Sequence, residues 1–199
     1  MHLTPQVLLT AYSQGYFPMG NHAGSIDWYD PDPRAIMPLD TFHTPRSLAR
    51  RIRRGGYEIR VDSAFREVML ACAAPAPGRE ETWITDEILD IYCKLHKHGF
   101  AHSVETWIDN ELVGGLYGVS IGGFFAGESM FSHTTDSSKL ALVHLIKRLK
   151  AGGFMLLDTQ FTTAHLRRFG TIEIRSYDYK QLLAHALRRP ARFDVPLTE

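Results

Sequence analysis

The chain has no apolar run approaching the roughly 18–20 residues that a membrane span needs, and no charged segment followed by an apolar stretch opens it. That points away from a membrane and makes the cytoplasm the expected home. Cysteine is scarce: Cys72 and Cys93 form no C-x-x-C pair and supply no disulfide framework. Net charge is missing as well, with Lys+Arg and Asp+Glu equal at 22 each, which argues against a general DNA or nucleic-acid binder. Internal repeats and low-complexity linkers are absent, and only the last few residues look disordered. What remains is a 199-residue chain of ordinary globular composition, 44% hydrophobic and 22% charged, enough for one sizeable core with a small appended lobe.

The elements can be placed from their punctuation. "TPQVLLTAYSQG" predicts a helix with Thr4 as N-cap, Pro5 in the first turn and Gly15 just past the end. "PMGNHAGSIDWYDPDPRAIMP" is dense in Pro, Gly, Asp and aromatics and reads as an ordered loop. Thr44 and Pro45 open an arginine-rich helix that Gly55 and Gly56 stop. From Tyr57 the pattern predicts strand, two helices, three antiparallel strands, helix, strand, short helix, strand and a final helix over roughly 177–189. The expected class is α/β (α+β): a mixed, largely antiparallel sheet flanked by helices over 41–199, with a reduced N-terminal lobe over 1–40. This order resembles the acyltransferase fold of the GNAT superfamily.

Three motif matches carry little. "GVSIG" (118–122) fits G-x-S-x-G formally but lies between hairpin strands, where no nucleophile elbow can form. His96, His98 and His102 straddle a helix end and a strand without a carboxylate companion, so no metal site is expected. "VGGLYG" sits in a hairpin and cannot ring a phosphate with amides.

"GGFFAGESMFSH" (122–133) is different, because it buries a carboxylate, Glu128, among glycines, phenylalanines and a methionine. Desolvating it is costly unless it holds a structural cation or is kept for a ligand. Alternation along the strand puts Glu128 and Met130 on one face. In "LLDTQF", Asp158 and Gln160 likewise share a face at the end of a buried strand. Together the three polar groups make either a site with acceptors and no strong nucleophile, or a buried network that holds a loop. Basic clusters at 46–54, 147–150, 165–169 and 187–192 are solvated helix faces one by one, and together a plausible phosphate-binding surface.

"WYDPDPRAIMP", "ETWITDEILDIYCKLHKHGFAHSVETW", "ELVGGLYGVSIGGFFAGESMFS", "SSKLAL" and "LLDTQF" resemble the leucyl/phenylalanyl-tRNA–protein transferase family over about residues 7 to 180. The resemblance implies an enzyme that moves Leu or Phe, with Met a third candidate, from aminoacyl-tRNA to the α-amino group of an N-terminal Arg or Lys. The products would enter N-end rule degradation, and no cofactor is implied. It assigns Leu116, Phe125 and Met130 to the walls of the donor side-chain pocket. Glu128 would pair with a cation of the acceptor. Gln160 would orient the amine through its side-chain carbonyl, and Asp158 would polarise that amide. Trp83, and less directly Trp28, would pack on the terminal adenosine, and Arg50, Arg51, Arg54, Lys147, Arg148 and Lys150 would meet tRNA phosphates.

The chain departs from the family's pattern at its start, where a "GGDLSP"-like segment is not seen, and at Leu116, where methionine is common. Two rival readings stand beside the transferase. A CoA-dependent N-acetyltransferase would need a glycine-rich loop where this chain has "SHTTDSSK". A tRNA-binding module without catalysis would not need Asp158 and Gln160.

Overall fold

Thr4 opens the first helix by accepting a hydrogen bond from the Val7 N–H, which satisfies a free donor of the first turn. In this computed structural model, which describes residues 3–21, 25–75 and 82–197, the helix α1 spans Pro5–Ser13. The reading of disorder at the last residues lies partly outside the described residues, which end at 197. A hairpin follows, with β1 (Phe17–Gly20) paired antiparallel to β2 (Ile26–Tyr29). Next come β3 (Arg34–Ile36), the arginine-rich α2 (Arg46–Arg54), β4 (Glu58–Val61), α3 (Phe65–Ala73) and α4 (Asp86–Lys97). The sequence predicted the second half in the right order: β5 (Ala101–Ile108), β6 (Glu111–Ile121), β7 (Phe124–Ser132), α5 (Ser137–Ala151), β8 (Leu156–Gln160), α6 (Ala164–Arg167), β9 (Ile172–Ile174) and α7 (Ser176–Leu187).

Seven strands form one mixed sheet in the order β4-β5-β6-β7-β8-β3-β9. Its pairings are antiparallel except β7 with β8, which α5 joins as a crossover. The predicted loop over 18–38 therefore hides three strands. Of these, β3 completes the main sheet between β8 and β9, although the sequence grouped it with the small lobe.

Two cores cover the two faces. One gathers Leu8 and Tyr12 of α1, Met69 of α3, Tyr92 of α4, Tyr117, Phe124 and Tyr179. The other gathers Leu48 of α2, Leu116, Phe125, Leu142, Leu145, Leu157 and Phe193. Two local features at the centre make the site. The β7–β8 ladder ends at Ala126 and Asp158, although β7 runs on to Ser132, so the strands part there. The β6–β7 register also slips between Tyr117 and Gly118: Tyr117 opposes Ser129 while Gly118 opposes Gly127. Glu128 is the extra, unopposed residue of a β-bulge.

Candidate active site

The bulge corrects the expected side-chain alternation. Up to Ala126 the even-numbered residues of β7 face the first core, but beyond Glu128 it is Phe131 that does so, and Met130 packs on the second. Glu128 and Met130 thus lie on opposite faces. The extra residue in the bulge shifts the period of two by one.

Where β7 and β8 part, a cavity of about 370 Å³ passes between the two cores. Leu116, Met130, Leu142, Leu145, Leu157 and Leu166 give it an apolar end, while Trp83, Met19 and Phe161 line it elsewhere. Glu128 is the one carboxylate among its described lining residues, and Gln160 lies beside it. Trp83 stands in the loop before α4, part-buried, and its carbonyl accepts the Gly20 N–H at 3.1 Å.

Asp158 is fully buried and spoken for. Arg34 donates from Nε to one oxygen at 2.9 Å and from Nη2 to the other at 2.6 Å, and Tyr179 donates its hydroxyl at 2.9 Å. Arg34 is itself 1% exposed, and it also donates to the Gly15 carbonyl and lies 4.8 Å from the Phe17 ring centre. Burial works against its charge, and the hydrogen-bonded Asp158 more than offsets this, holding the guanidinium above its ordinary pKa.

The other job of Asp158 is to accept the backbone N–H of Gln160 at 2.9 Å, pinning that residue at φ 57°, in the left-handed region. The Gln160 side-chain amide turns instead to Glu128, donating from Nε2 to Oε1 at 3.0 Å. The carboxylate hydrogen-bonded to the amide is thus Glu128, and Asp158 meets Gln160 only through the backbone. The sequence reading gave the amide contact to Asp158, because Arg34 was not seen as the partner that occupies it.

Glu128 is part-buried, and its second oxygen accepts from the Tyr92 hydroxyl at 3.4 Å. The Tyr92 hydroxyl is hydrogen-bonded in turn to that of Tyr12. Burial pushes Glu128 up to about 8; the Tyr12 hydroxyl opposes the rise and the charge on Asp158 adds to it. Burial also raises both tyrosines well above their usual pKa, so they stay neutral donors.

The remaining expected residues scatter. Phe125 is fully buried in the second core, stacked on Phe193, and is not among the cavity's lining residues. Trp28 lies on β2, 40% exposed, opposite Pro18 and outside the cavity. Arg50 and Arg54 are exposed on α2, on the same side as Arg46 and Arg53. Arg51 instead donates to the Gly55 carbonyl and lies over Tyr57, and Arg148 donates to the carbonyls of Phe193 and Val195. Lys150 lies 3.6 Å from Asp40, and Lys147 is exposed.

Sequence reasoning missed Arg34, Tyr12, Tyr92 and Tyr179. An arginine leading the apolar "AIM", in a chain with a carboxylate in the buried strand "LLD", was the available signal for Arg34. Tyr12 and Tyr92 sit on the apolar stripes of their helices, one turn on from Leu8 and Ile88, and look like plain core from the sequence.

An apolar cavity thus lies between parting parallel strands with an amide and a carboxylate beside it, an arrangement suited to holding an apolar acyl group next to a polar acceptor. The family is settled by comparison. The model of the leucyl/phenylalanyl-tRNA protein transferase matches residues 36–184 and that of its N-terminal domain residues 1–32, so the chain belongs to that family. The leucyl/phenylalanyl-tRNA–protein transferase of Herpetosiphon aurantiacus is 58% identical over 192 residues, covering 96% of this chain and 98% of that one. The protein of the same name from Caulobacter vibrioides is 54% identical over 188 residues, covering 94% and 87%. Among solved structures, L-PGS from Bacillus licheniformis is similar at a TM-score of 0.41 and 18% identity, over 81% of this chain and 55% of that one.

Proposed function

We propose that this protein transfers leucine or phenylalanine, with methionine a third candidate, from aminoacyl-tRNA to the α-amino group of proteins that begin with Arg or Lys. In a cytoplasmic setting such products would feed N-end rule degradation. The observation that carries the reading is the cavity: its leucine- and methionine-lined end suits an apolar amino acid, and its polar groups stand where β7 and β8 part. Met130 in the wall suits both a branched and a flat side chain. Parting of two parallel strands beside an acyl pocket also supports the GNAT-like reading of the fold, with the hairpin of β1 and β2 as the small N-terminal lobe.

The donor ester is already activated, so no covalent enzyme intermediate is required. Trp83 is the wall for the terminal adenosine, stacking on an unpaired base. Arg46, Arg50, Arg53 and Arg54 on the outer side of α2 carry the acceptor-stem phosphates, a role for which Arg51 and Arg148 are less free. Glu128 draws the cationic acceptor to the cavity, and the carbonyl of Gln160 aims the amine at the ester carbon.

The test is transfer of labelled phenylalanine and leucine from charged tRNA to peptides beginning with Arg, Lys or Ala, with acetyl-CoA as a control donor. Transfer to the Arg and Lys peptides alone, lowered on the order of 100-fold in Gln160→Ala, is the expected outcome. Transfer from acetyl-CoA, or bound tRNA without any transfer, would overturn the reading.

A further inference from the structure

We propose that Glu128 is the proton acceptor that converts the acceptor's α-ammonium into a nucleophile, with Tyr92 and Tyr12 as the hydroxyl chain that favours its ionised form against the pull of burial. The proposal rests on the transferase reading above and concerns the chemistry of the same site.

The geometry leaves few alternatives. Asp158 has no access to a substrate: it is fully buried, and Arg34, Tyr179 and the Gln160 N–H engage its oxygens. A neutral amide such as Gln160 has almost no basicity. His165, the one imidazole among the described lining residues, is not among the partners of Glu128 or Gln160. Glu128 lines the cavity on the bulge, and its bonds to Gln160, Tyr92 and Tyr12 do not exhaust the four lone-pair sites of a carboxylate.

The surroundings also match the task. The groups that face Glu128 are Tyr12 from α1, Tyr92 from α4, Gln160 and the charged Asp158 from β8, and Arg34 from β3. Burial lifts its pKa to about 8, close to the roughly 7.7–8 of an α-amino group, so a proton crosses between nearly matched groups. The tyrosines, raised well beyond this range, donate without losing protons of their own.

In the step, one ammonium N–H bond breaks as an O–H bond forms on Glu128. The freed lone pair attacks the ester carbonyl carbon, and the C–O bond to the terminal ribose then breaks. The second proton lost from nitrogen goes to the departing ribose oxygen, leaving an amide with one N–H. Glu128 releases its proton to solvent when the product leaves.

The test compares Glu128→Gln with wild type in single-turnover transfer from phenylalanyl-tRNA, at saturating acceptor and across pH. Two acceptors are used: an Arg-initiated peptide, and its analogue with an aminooxy group in place of the α-amine, which is neutral at pH 7. A proton acceptor predicts a rate loss on the order of 100-fold with the amine peptide near pH 7 that narrows as pH rises. With the aminooxy peptide the loss should stay within a few-fold. Tyr92→Phe, which removes only a hydroxyl, should show the same pattern in weaker form. Equal losses with both acceptors, or no loss with the amine peptide once it is saturating, would assign Glu128 to binding and overturn the proposal. Wild-type protein that transfers to neither acceptor would overturn the transferase reading, and this proposal with it.

Discussion

Asp158 has committed both of its oxygens before any substrate arrives. Its bidentate pair with Arg34 is closed to water, with side chains 1% and 0% exposed. Removing one partner of such a pair strands the other charge, at a cost of about 3–5 kcal/mol. Arg34→Gln should therefore lower the unfolding free energy measured in urea by that much and also lose transfer, since the acceptor for the Gln160 N–H is no longer fixed. The double change Arg34→Met with Asp158→Leu separates the two effects. Apolar residues of similar size remove the stranded charge, so most of the stability returns. Transfer does not return, because nothing then accepts the N–H that holds Gln160 at its left-handed φ. Recovery of both would mean the pair serves the fold alone. At this scale the sequence was partly legible. A carboxylate among apolar residues announces Glu128 by its cost, but its partners come from positions 12, 92 and 160, and no local pattern says which distant residues will meet it.

Strands were legible where their pairing is local. The run from β5 to β7 is a meander with turns at Asp109–Asn110 and Gly122–Gly123, and alternation finds it. The three strands before α2 were read as loop, because they are 3–4 residues long, lie in a segment dense in Pro and Gly, and β3 pairs with partners more than 120 positions away. The bulge was equally hidden: one extra residue reverses which side chains share a face, and the sequence does not show where it sits. The β1–β2 hairpin gives a test at this scale. A Cβ added at Gly20 would lie 2.6 Å from the Trp83 carbonyl oxygen and 2.6 Å from the Thr85 methyl. Gly20→Ala must push the Trp83 loop outward. If Trp83 stacks on the terminal adenosine, KM for aminoacyl-tRNA should rise roughly ten-fold, in line with about 1–3 kcal/mol for a base–aromatic stack. KM for the peptide acceptor should stay within two-fold, and a change in the acceptor alone would move the adenosine elsewhere.

For the molecule as a whole, the site has a consequence for stability. Glu128 is raised to about 8 in the folded chain by burial, against roughly 4.3 when unfolded. Between these values the folded state binds the proton and the unfolded state does not, so folding stability falls as pH climbs. The contribution is fully present below about 4.3, declines by at most about 1.4 kcal/mol per pH unit, and is gone above about 8. Glu128→Gln keeps the size and the hydrogen bond to Gln160 or Tyr92 but cannot ionise. The Arg34–Asp158 pair is common to both proteins and cancels in the comparison. The melting temperature of the variant relative to wild type should thus be lowest near pH 4.5, rise through pH 6 and 7 in the variant's favour, and level off near pH 9. Thermal melts at half-unit pH steps decide it, and a difference flat across that range would mean that Glu128 is ionised throughout. The same carboxylate that destabilises the resting fold at alkaline pH is the one a bound cation would relieve, so an Arg-initiated peptide should raise the wild-type melting temperature at pH 8 and leave that of Glu128→Gln nearly unchanged.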